Sequence, residues 1–132
     1  MLKPLPLLTS PIAAIVLAAW VSLQSPSVHA AAPMRGRLLF LKCASCHDIS
    51  ATASAKTGPN LRGVVGRRVA SLPGYQYSTA LRAQTFVWDE QHLDRWLTQP
   101  TDVVPGTAMA FSGLGSAADR QAVIAYLREG GK

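Results

Sequence analysis

Apolar residues recur at helical spacing in three stretches of this chain. Residues 35–42, residues 89–97 and a segment from 116 or 117 to 129 each fit the pattern of a helix. Asp89 is a suitable N-cap for the second helix, and Pro100 prevents its continuation. The third helix is followed by Gly130 and Gly131, which favour an ending there. The pattern therefore predicts three main helices joined by loops, with no alternation of strands and helices.

The first and last of these helices have apolar faces that we expect to pack in the core. Between the second and third helices, residues 100–111 contain Pro105 and Gly106 and show no helical period, which predicts a loop. The apolar residues of the two helices are Leu38, Leu39 and Leu41 in the first, and Val123, Ile124, Tyr126 and Leu127 in the last.

The first thirty residues have the pattern of a secretory signal peptide. Lys3 provides a positive start, residues 12–23 form an apolar run, and small residues precede two possible cleavage sites, after Ala30 or after Ala32. A membrane-spanning helix needs about 20 apolar residues, so a permanent anchor fits less well. We therefore predict a cleaved leader, residues 1–30, and a single domain, residues 31–132, exported to the periplasm.

The charge balance indicates the sign of the partners rather than the chemistry. The full chain carries a net charge of +6, and loss of Lys3 with the leader lowers it to +5. A cationic protein favours acidic docking faces, anionic membranes or nucleic acid. Export from the cytosol makes nucleic acid the least suitable of these, and we predict that it is not a partner.

Both cysteines of the chain lie in one short motif, Cys43-Ala-Ser-Cys46-His47. A disulfide between them would close a very small loop and constrain the unfolded chain little, so such bridges are usually redox-active, as in thioredoxin-like proteins. The residues before Cys43 lack the β-branched enrichment of the strand that this class requires. A zinc site would need a fourth ligand, for which His92 is the candidate.

The same motif is that of covalent haem attachment, which we favour. Each thiol adds to one haem vinyl group, and the histidine that follows, His47, lies beneath the iron as an axial ligand. Met34, His92 and Met109 are the candidates for the opposite side of the iron. Met109 lies in the predicted loop, where a thioether can be presented to a metal, although taken alone a packing methionine is the commoner case.

The wider sequence resembles the class I cytochromes c of mitochondria and many bacteria. The segments CASCH, TGPNLRGVVGR, PGYQYSTAL, VPGTAMAF and IAYL follow one another in the family's order between about Gly36 and Arg128. This resemblance implies an all-α cytochrome c fold, in which three main helices and their connecting loops wrap around one covalently bound haem c. It also implies that the first and last helices cross near Phe40 and Tyr126.

The resemblance further implies roles for individual residues. Cys43 and Cys46 would carry the haem, and His47 and Met109 would ligate the iron. The carbonyl of Pro59 would accept the Nδ1 proton of His47, which fixes the tautomer of the ring. The haem propionates, which are costly to bury without partners, would be met by polar side chains; these are Arg67, Tyr77 and Trp88, with Thr107 near a propionate or the methionine loop.

The chain departs from the family at three places. Trp96 stands where many members have a tyrosine that bonds the methionine sulfur, so the donor would be an indole N–H. Phe40 lies three residues before Cys43, one fewer than in the mitochondrial proteins, which alters the register expected of the first helix. The family's ring of lysines around the exposed haem edge is reduced, with Lys42 retained.

The resemblance implies a monomeric electron carrier that is not an enzyme. It would exchange single electrons with redox proteins that present an acidic docking face, with transient contact to membrane complexes. The reduced lysine ring keeps a second hypothesis open, a dedicated haem subunit of a periplasmic dehydrogenase. A third hypothesis is a haem enzyme or gas sensor in which the sixth coordination position opens.

Overall fold

A computed structural model describes residues 28–52 and 56–131. Among these residues the regular structure is helical, and a single isolated bridge joins Arg68 to Val87. No helix in the described ranges is long and apolar enough to cross a membrane. The five helices are α1 (Val28–Phe40), α2 (Thr79–Arg82), α3 (Glu90–Thr98), α4 (Pro100–Val103) and α5 (Ala117–Arg128).

The predicted leader lies almost wholly outside the described residues. The structure begins at Val28 with the first turn of α1, two residues before the predicted end of the leader. Cleavage after Ala30 or Ala32 and the domain boundary at residue 31 therefore stay predictions.

Helices α1 and α5 cross in close contact, as the resemblance implied. The rings of Phe40 and Tyr126 lie 5.4 Å apart between centroids. A Cβ atom on Gly36 would stand 2.7 Å from the Cβ of Tyr126 and 2.9 Å from the carbonyl carbon of Ala122, so only glycine allows the two helices to approach this closely. Phe40 thus faces the last helix despite its short spacing to Cys43.

The predicted apolar face of α1 was wrong in two of its three leucines. Leu38 and Leu41 are 61% and 67% exposed, whereas Leu39 packs partly buried against the core. The physical reason is the crossing itself, because Gly36 and Phe40 occupy the inward face one turn apart and turn Leu38 towards solvent. Leu41 follows the end of the helix.

The predicted N-cap of α3 is confirmed, and the structure adds an N-cap for α5. The side chain of Asp89 accepts a hydrogen bond from the backbone N–H of His92 at the start of α3. Ser116 accepts from the N–H of Asp119 at the start of α5. Such caps satisfy donors that have no partner inside the helix. The predicted ends of these two helices agree with the observed ends to within one residue, whereas α1 begins at Val28 and ends at Phe40 rather than running from residue 35 to residue 42.

The segment between α3 and α5 was predicted as a loop throughout, which is wrong for its first residues. Pro100 occupies the first position of the short helix α4, where its missing N–H and fixed φ are tolerated. Beyond α4, the loop returns to α3 through a hydrogen bond from the N–H of Leu114 to the carbonyl of Leu97, at 2.7 Å. Gly113, with φ +89°, passes so close to Thr98 that no Cβ atom fits.

Candidate functional site

The motif of the two cysteines forms a tight turn that continues from α1. The N–H of Cys43 donates to the carbonyl of Phe40, and the N–H groups of Cys46 and His47 both donate to the carbonyl of Cys43. Cys43 is half-buried and Cys46 is exposed, and both thiols are free. The turn therefore presents two sulfurs and one imidazole from five consecutive residues.

The environment of Cys43 does not suit thiol redox chemistry. Burial raises the pKa of the Cys43 thiol, and the neighbouring Cys46 raises it further, while Lys42 lowers it less. Redox-active Cys-x-x-Cys motifs depend on a lowered thiol pKa, since the thiolate is the reactive form. Cys43 lacks this activation.

His47 is held as a neutral ring with one nitrogen committed. It is the only buried polar side chain in the described ranges, and burial lowers the pKa of its imidazole. Its Nδ1 lies 2.8 Å from the carbonyl oxygen of Pro59. Because a carbonyl only accepts, Nδ1 must carry the proton, and the lone pair of Nε2 is left available to a metal.

Residues 56–59, which include the carbonyl that accepts from His47, pack closely against its ring. A Cβ atom on Gly58 would lie 2.6 Å from Nδ1 of His47, so glycine is required next to the accepting carbonyl. Lys56 donates to the carbonyls of Ala44 and His47 at 2.7 and 3.1 Å. Sequence reasoning missed this role of Lys56, because a surface lysine has no distinctive spacing.

A zinc site gains no support from the described part of the chain. No group of three or more His, Cys, Asp or Glu side chains there could hold a metal ion. His92, the proposed fourth ligand, is engaged elsewhere: its ring stacks on Phe86, and its Nδ1 lies 2.9 Å from a carboxylate oxygen of Asp89.

Met109 is fixed by contacts on both sides of its loop. The indole N–H of Trp96, which is buried on α3, donates to the Met109 sulfur with 3.2 Å between nitrogen and sulfur. The backbone N–H of Met109 donates to the hydroxyl oxygen of Thr107 at 3.3 Å. The structure thus brings together three of the residues singled out in the sequence, with Thr107 accepting a hydrogen bond inside the methionine loop.

The residues expected near the haem propionates lie on neighbouring loops. Arg67 is half-buried and donates to the carbonyls of Asn60 and Arg62 at 3.0 and 3.2 Å. Burial lowers the pKa of its guanidinium, and nearby Tyr77 opposes this. Trp88 is buried with its ring edge-on to Trp96, at 5.0 Å between centroids.

Tyr75 is a member of this region that the sequence analysis did not single out. Its hydroxyl donates to the carbonyl of Thr57 at 2.6 Å, and its ring packs edge-on to Tyr77 with the centroids 4.7 Å apart. It links the segment before α2 to the segment that supports His47. The alternating Tyr-Gln-Tyr pattern was the available signal.

Comparisons with known proteins identify the class to which this site belongs. The family model described as cytochrome c matches residues 33–130. A cytochrome c2 of Rhodomicrobium vannielii is 43% identical over 104 residues, which cover 78% of this chain and 83% of that protein. A cytochrome c of Sesamum indicum is 43% identical over 93 residues, which cover 70% and 84%.

A solved structure agrees with the sequence relatives. Cytochrome cH from Methylobacterium extorquens superposes with a TM-score of 0.69 at 35% identity, covering 74% of this chain and 97% of that one. The chain belongs to the cytochrome c family, with the all-α cytochrome c fold. Proteins of this family are electron carriers rather than enzymes, and they carry one haem c bound covalently through a Cys-x-x-Cys motif, which here is Cys43 and Cys46.

The residues present fit this group. The free thiols are separated by two residues on one turn, and the adjacent imidazole is neutral with an available nitrogen. A thioether is held in place by a buried indole. Imidazole and thioether are the donor set that cytochromes c use for haem iron.

Proposed function

We propose that this protein is a periplasmic single-electron carrier in which His47 and Met109 ligate the iron of one haem. The haem supplies one-electron cycling between the ferrous and ferric states. The observation that carries the proposal is the hydrogen bond from the Trp96 indole to the Met109 sulfur, because it commits a buried donor to an otherwise weak acceptor. A methionine that served only to fill the core would not need this donor.

The chain holds the two ligands by different means. His47 is oriented by the carbonyl of Pro59, which also makes the ring a better electron donor to a metal. Met109 is oriented by Trp96 and Thr107. Soft thioether ligation raises the reduction potential.

The loop also bears on the hypothesis of an open sixth position. It is closed by the hydrogen bond between Leu114 and Leu97 and by the tight passage of Gly113 against Thr98. Opening would break this hydrogen bond together with the contact to Trp96. The fold therefore favours a ligated methionine over a haem enzyme or gas sensor.

The partners follow from charge. A cationic surface favours redox proteins with an acidic docking face, and Lys42 lies next to Cys43, close to the site of haem attachment. The reduced lysine ring supports a second candidate, a haem subunit dedicated to one periplasmic dehydrogenase. Co-purification with a catalytic subunit would favour that candidate, whereas a monomer that exchanges electrons with unrelated partners favours the free carrier. Neither role calls for nucleic acid.

The test uses the protein expressed with a haem-maturation system. Visible spectra of the oxidised protein should contain the weak long-wavelength band of iron–thioether ligation, and the haem should stay on the chain after denaturation. Met109→Ala should abolish the band and lower the potential. Met34→Ala is the matched control, because Met34 is 59% exposed on α1. An unchanged band and potential in Met109→Ala would refute the ligand assignment.

Export is tested separately. Mass spectrometry of the protein recovered from the periplasmic fraction should give a mature chain that begins at Ala31 or Pro33. A full-length chain found only with the membrane fraction would replace the cleaved leader with an anchor.

A further inference from the structure

A surface cleft lies on the side of α3 where Phe86 and His92 stack. Its volume is about 430 Å³, and its lining includes Gln84, Phe86, His92, Arg95, Gln99 and Asp102. Sites for small molecules commonly have volumes of about 300–1,000 Å³. None of these residues belongs to the haem-attachment motif or to the methionine loop, so the cleft needs an explanation of its own.

The cleft has a flat aromatic wall. The rings of Phe86 and His92 are within 9° of parallel, with centroids 4.6 Å apart. The hydrogen bond between Nδ1 of His92 and Asp89 fixes the plane of the imidazole. A rigid stacked pair of this kind offers a face on which another planar ring can stack at little entropic cost.

The rim adds one cation and several acceptors. Arg95 is exposed, and its guanidinium makes no hydrogen bond or ion pair within the described ranges. Asp102 contributes a carboxylate, and the side-chain amides of Gln84 and Gln99 use their N–H groups on neighbouring oxygens, which leaves their carbonyl oxygens to accept. A fitting ligand is therefore planar and aromatic, with an acidic group for Arg95 and hydroxyl donors for the acceptors.

A row of packed rings leads from this wall to Met109. Phe86 meets Trp88 edge-on at 4.8 Å between centroids, and Trp88 meets Trp96 at 5.0 Å. Trp96 then donates to the Met109 sulfur. The cleft is thus connected to the methionine by contacting aromatic side chains alone.

We infer that this cleft binds a small planar aromatic anion of the hydroquinone type, and that Phe86, Trp88 and Trp96 couple it to Met109 as a second port for electrons. A bound hydroquinone gives one electron to ferric iron and one proton to water, which leaves a semiquinone and ferrous iron. No bond to the protein forms or breaks. This inference rests on the ligation by Met109 proposed above.

Binding is measured first, without electron transfer. Oxidised anthraquinone-2-sulfonate, which has the aromatic plane and the acidic group but lacks the hydroxyl donors of the reduced form, is titrated into the ferric holoprotein, and backbone amide shifts are followed by NMR. We expect saturable shifts at Gln84, Arg95 and Gln99. Arg95→Gln should weaken binding about two- to fivefold, as expected for a solvent-exposed ion pair. The absence of shifts at these residues, or unchanged affinity in Arg95→Gln, overturns the site.

Electron entry is measured second, by anaerobic stopped flow. The reduction rate by anthrahydroquinone-2-sulfonate should saturate with its concentration, and Phe86→Leu should lower the low-concentration rate about two- to tenfold through lost stacking alone. Val87→Leu is the matched control, because Val87 is 43% exposed beside Phe86.

A second reductant separates this port from the haem edge. Hexaammineruthenium(II), which is cationic and not aromatic, should reduce all variants at the rate of the parent protein. Equal slowing of both reductants in Phe86→Leu would assign the effect to the haem surroundings and overturn the port. Equal anthrahydroquinone rates in the parent protein and Phe86→Leu would overturn it as well. Failure of the electron-carrier proposal can be told apart from failure of the cleft proposal, because the parent protein itself would then lack the iron–thioether band.

Discussion

Replacing Trp96 by phenylalanine removes the donor to the methionine sulfur and keeps an aromatic ring. The structure places the indole nitrogen 3.2 Å from the Met109 sulfur, with Trp96 only 7% exposed, so water cannot easily replace the lost bond. A net hydrogen bond contributes about 0.5–1.5 kcal/mol. Because the positive end of the N–H dipole points at the sulfur, it favours the more electron-rich ferrous state, and its removal lowers the potential.

The size of the shift follows from the one-electron conversion. A tenfold change in equilibrium corresponds to about 59 mV for one electron and about 1.4 kcal/mol, so the whole bond corresponds to about 20–60 mV. Only the part of its energy that differs between the ferrous and ferric states moves the potential, and we therefore expect the potential of Trp96→Phe to fall by at most about 60 mV. The smaller ring also leaves a void, and we expect the free energy of unfolding to fall by about 1–3 kcal/mol.

The assay is a spectroelectrochemical titration of the parent protein and two variants. Leu93→Val is the control, since Leu93 is also buried on α3 and its truncation costs stability without removing a donor. We expect both variants to unfold more readily but only Trp96→Phe to shift the potential. A potential equal to that of the parent protein in Trp96→Phe, with the iron–thioether band intact, would refute the role given to the indole.

Three further predictions concern residues that support the fold around the site. Gly36→Ala should cost about 3 kcal/mol by overpacking against the backbone of Ala122, as measured by denaturant unfolding; native-like stability would contradict the rigid crossing. In Gly113→Ala, the iron–thioether band should weaken more with rising pH than it does in the parent protein, because the loop can no longer close on Thr98. A pH titration of the band tests this, and coincident titrations would contradict it. Hydrogen bonds from Ser50 lower the pKa of Asp48 from 3.8 to about 2. This contribution to stability is present above pH 3.8 and lost as pH falls towards 2, so the destabilisation of Asp48→Asn seen at pH 6 should vanish at the acid end of a thermal melting series; a constant difference would refute it.

The helices could be read from the sequence because their end signals are local. Asp89 caps α3 as predicted, and Ser116 caps α5 at the predicted start of that helix, since an N-cap depends only on residues within one turn. The outward positions of Leu38 and Leu41 could not be read in the same way. The face that α1 buries is decided by its crossing with α5, and a contact between residues 36 and 122 leaves no local pattern.

The same distinction between local and long-range contacts decides which parts of the site could be predicted from the sequence. The attachment motif and the glycine-proline step lie close together in sequence, and the bond between His47 and Pro59 is present as expected. The bond from Trp96 to Met109 spans thirteen residues and a change of residue type, so its geometry required the structure. The cleft beside Phe86 and His92 gave no sequence signal, because stacking between residues on a loop and a helix follows from the tertiary packing.

The two proposed iron ligands depend on different amounts of structure. His47 lies on a turn that continues from α1, and its carbonyl partner follows twelve residues later, so its geometry survives changes in α3. Met109 depends on α3 twice, through the indole of Trp96 and through the carbonyl of Leu97 that closes the loop. Any loosening of α3 therefore releases the thioether before the imidazole. Because α3 also carries His92 and Arg95, a ligand in the cleft would act on the element that holds the proposed thioether ligand.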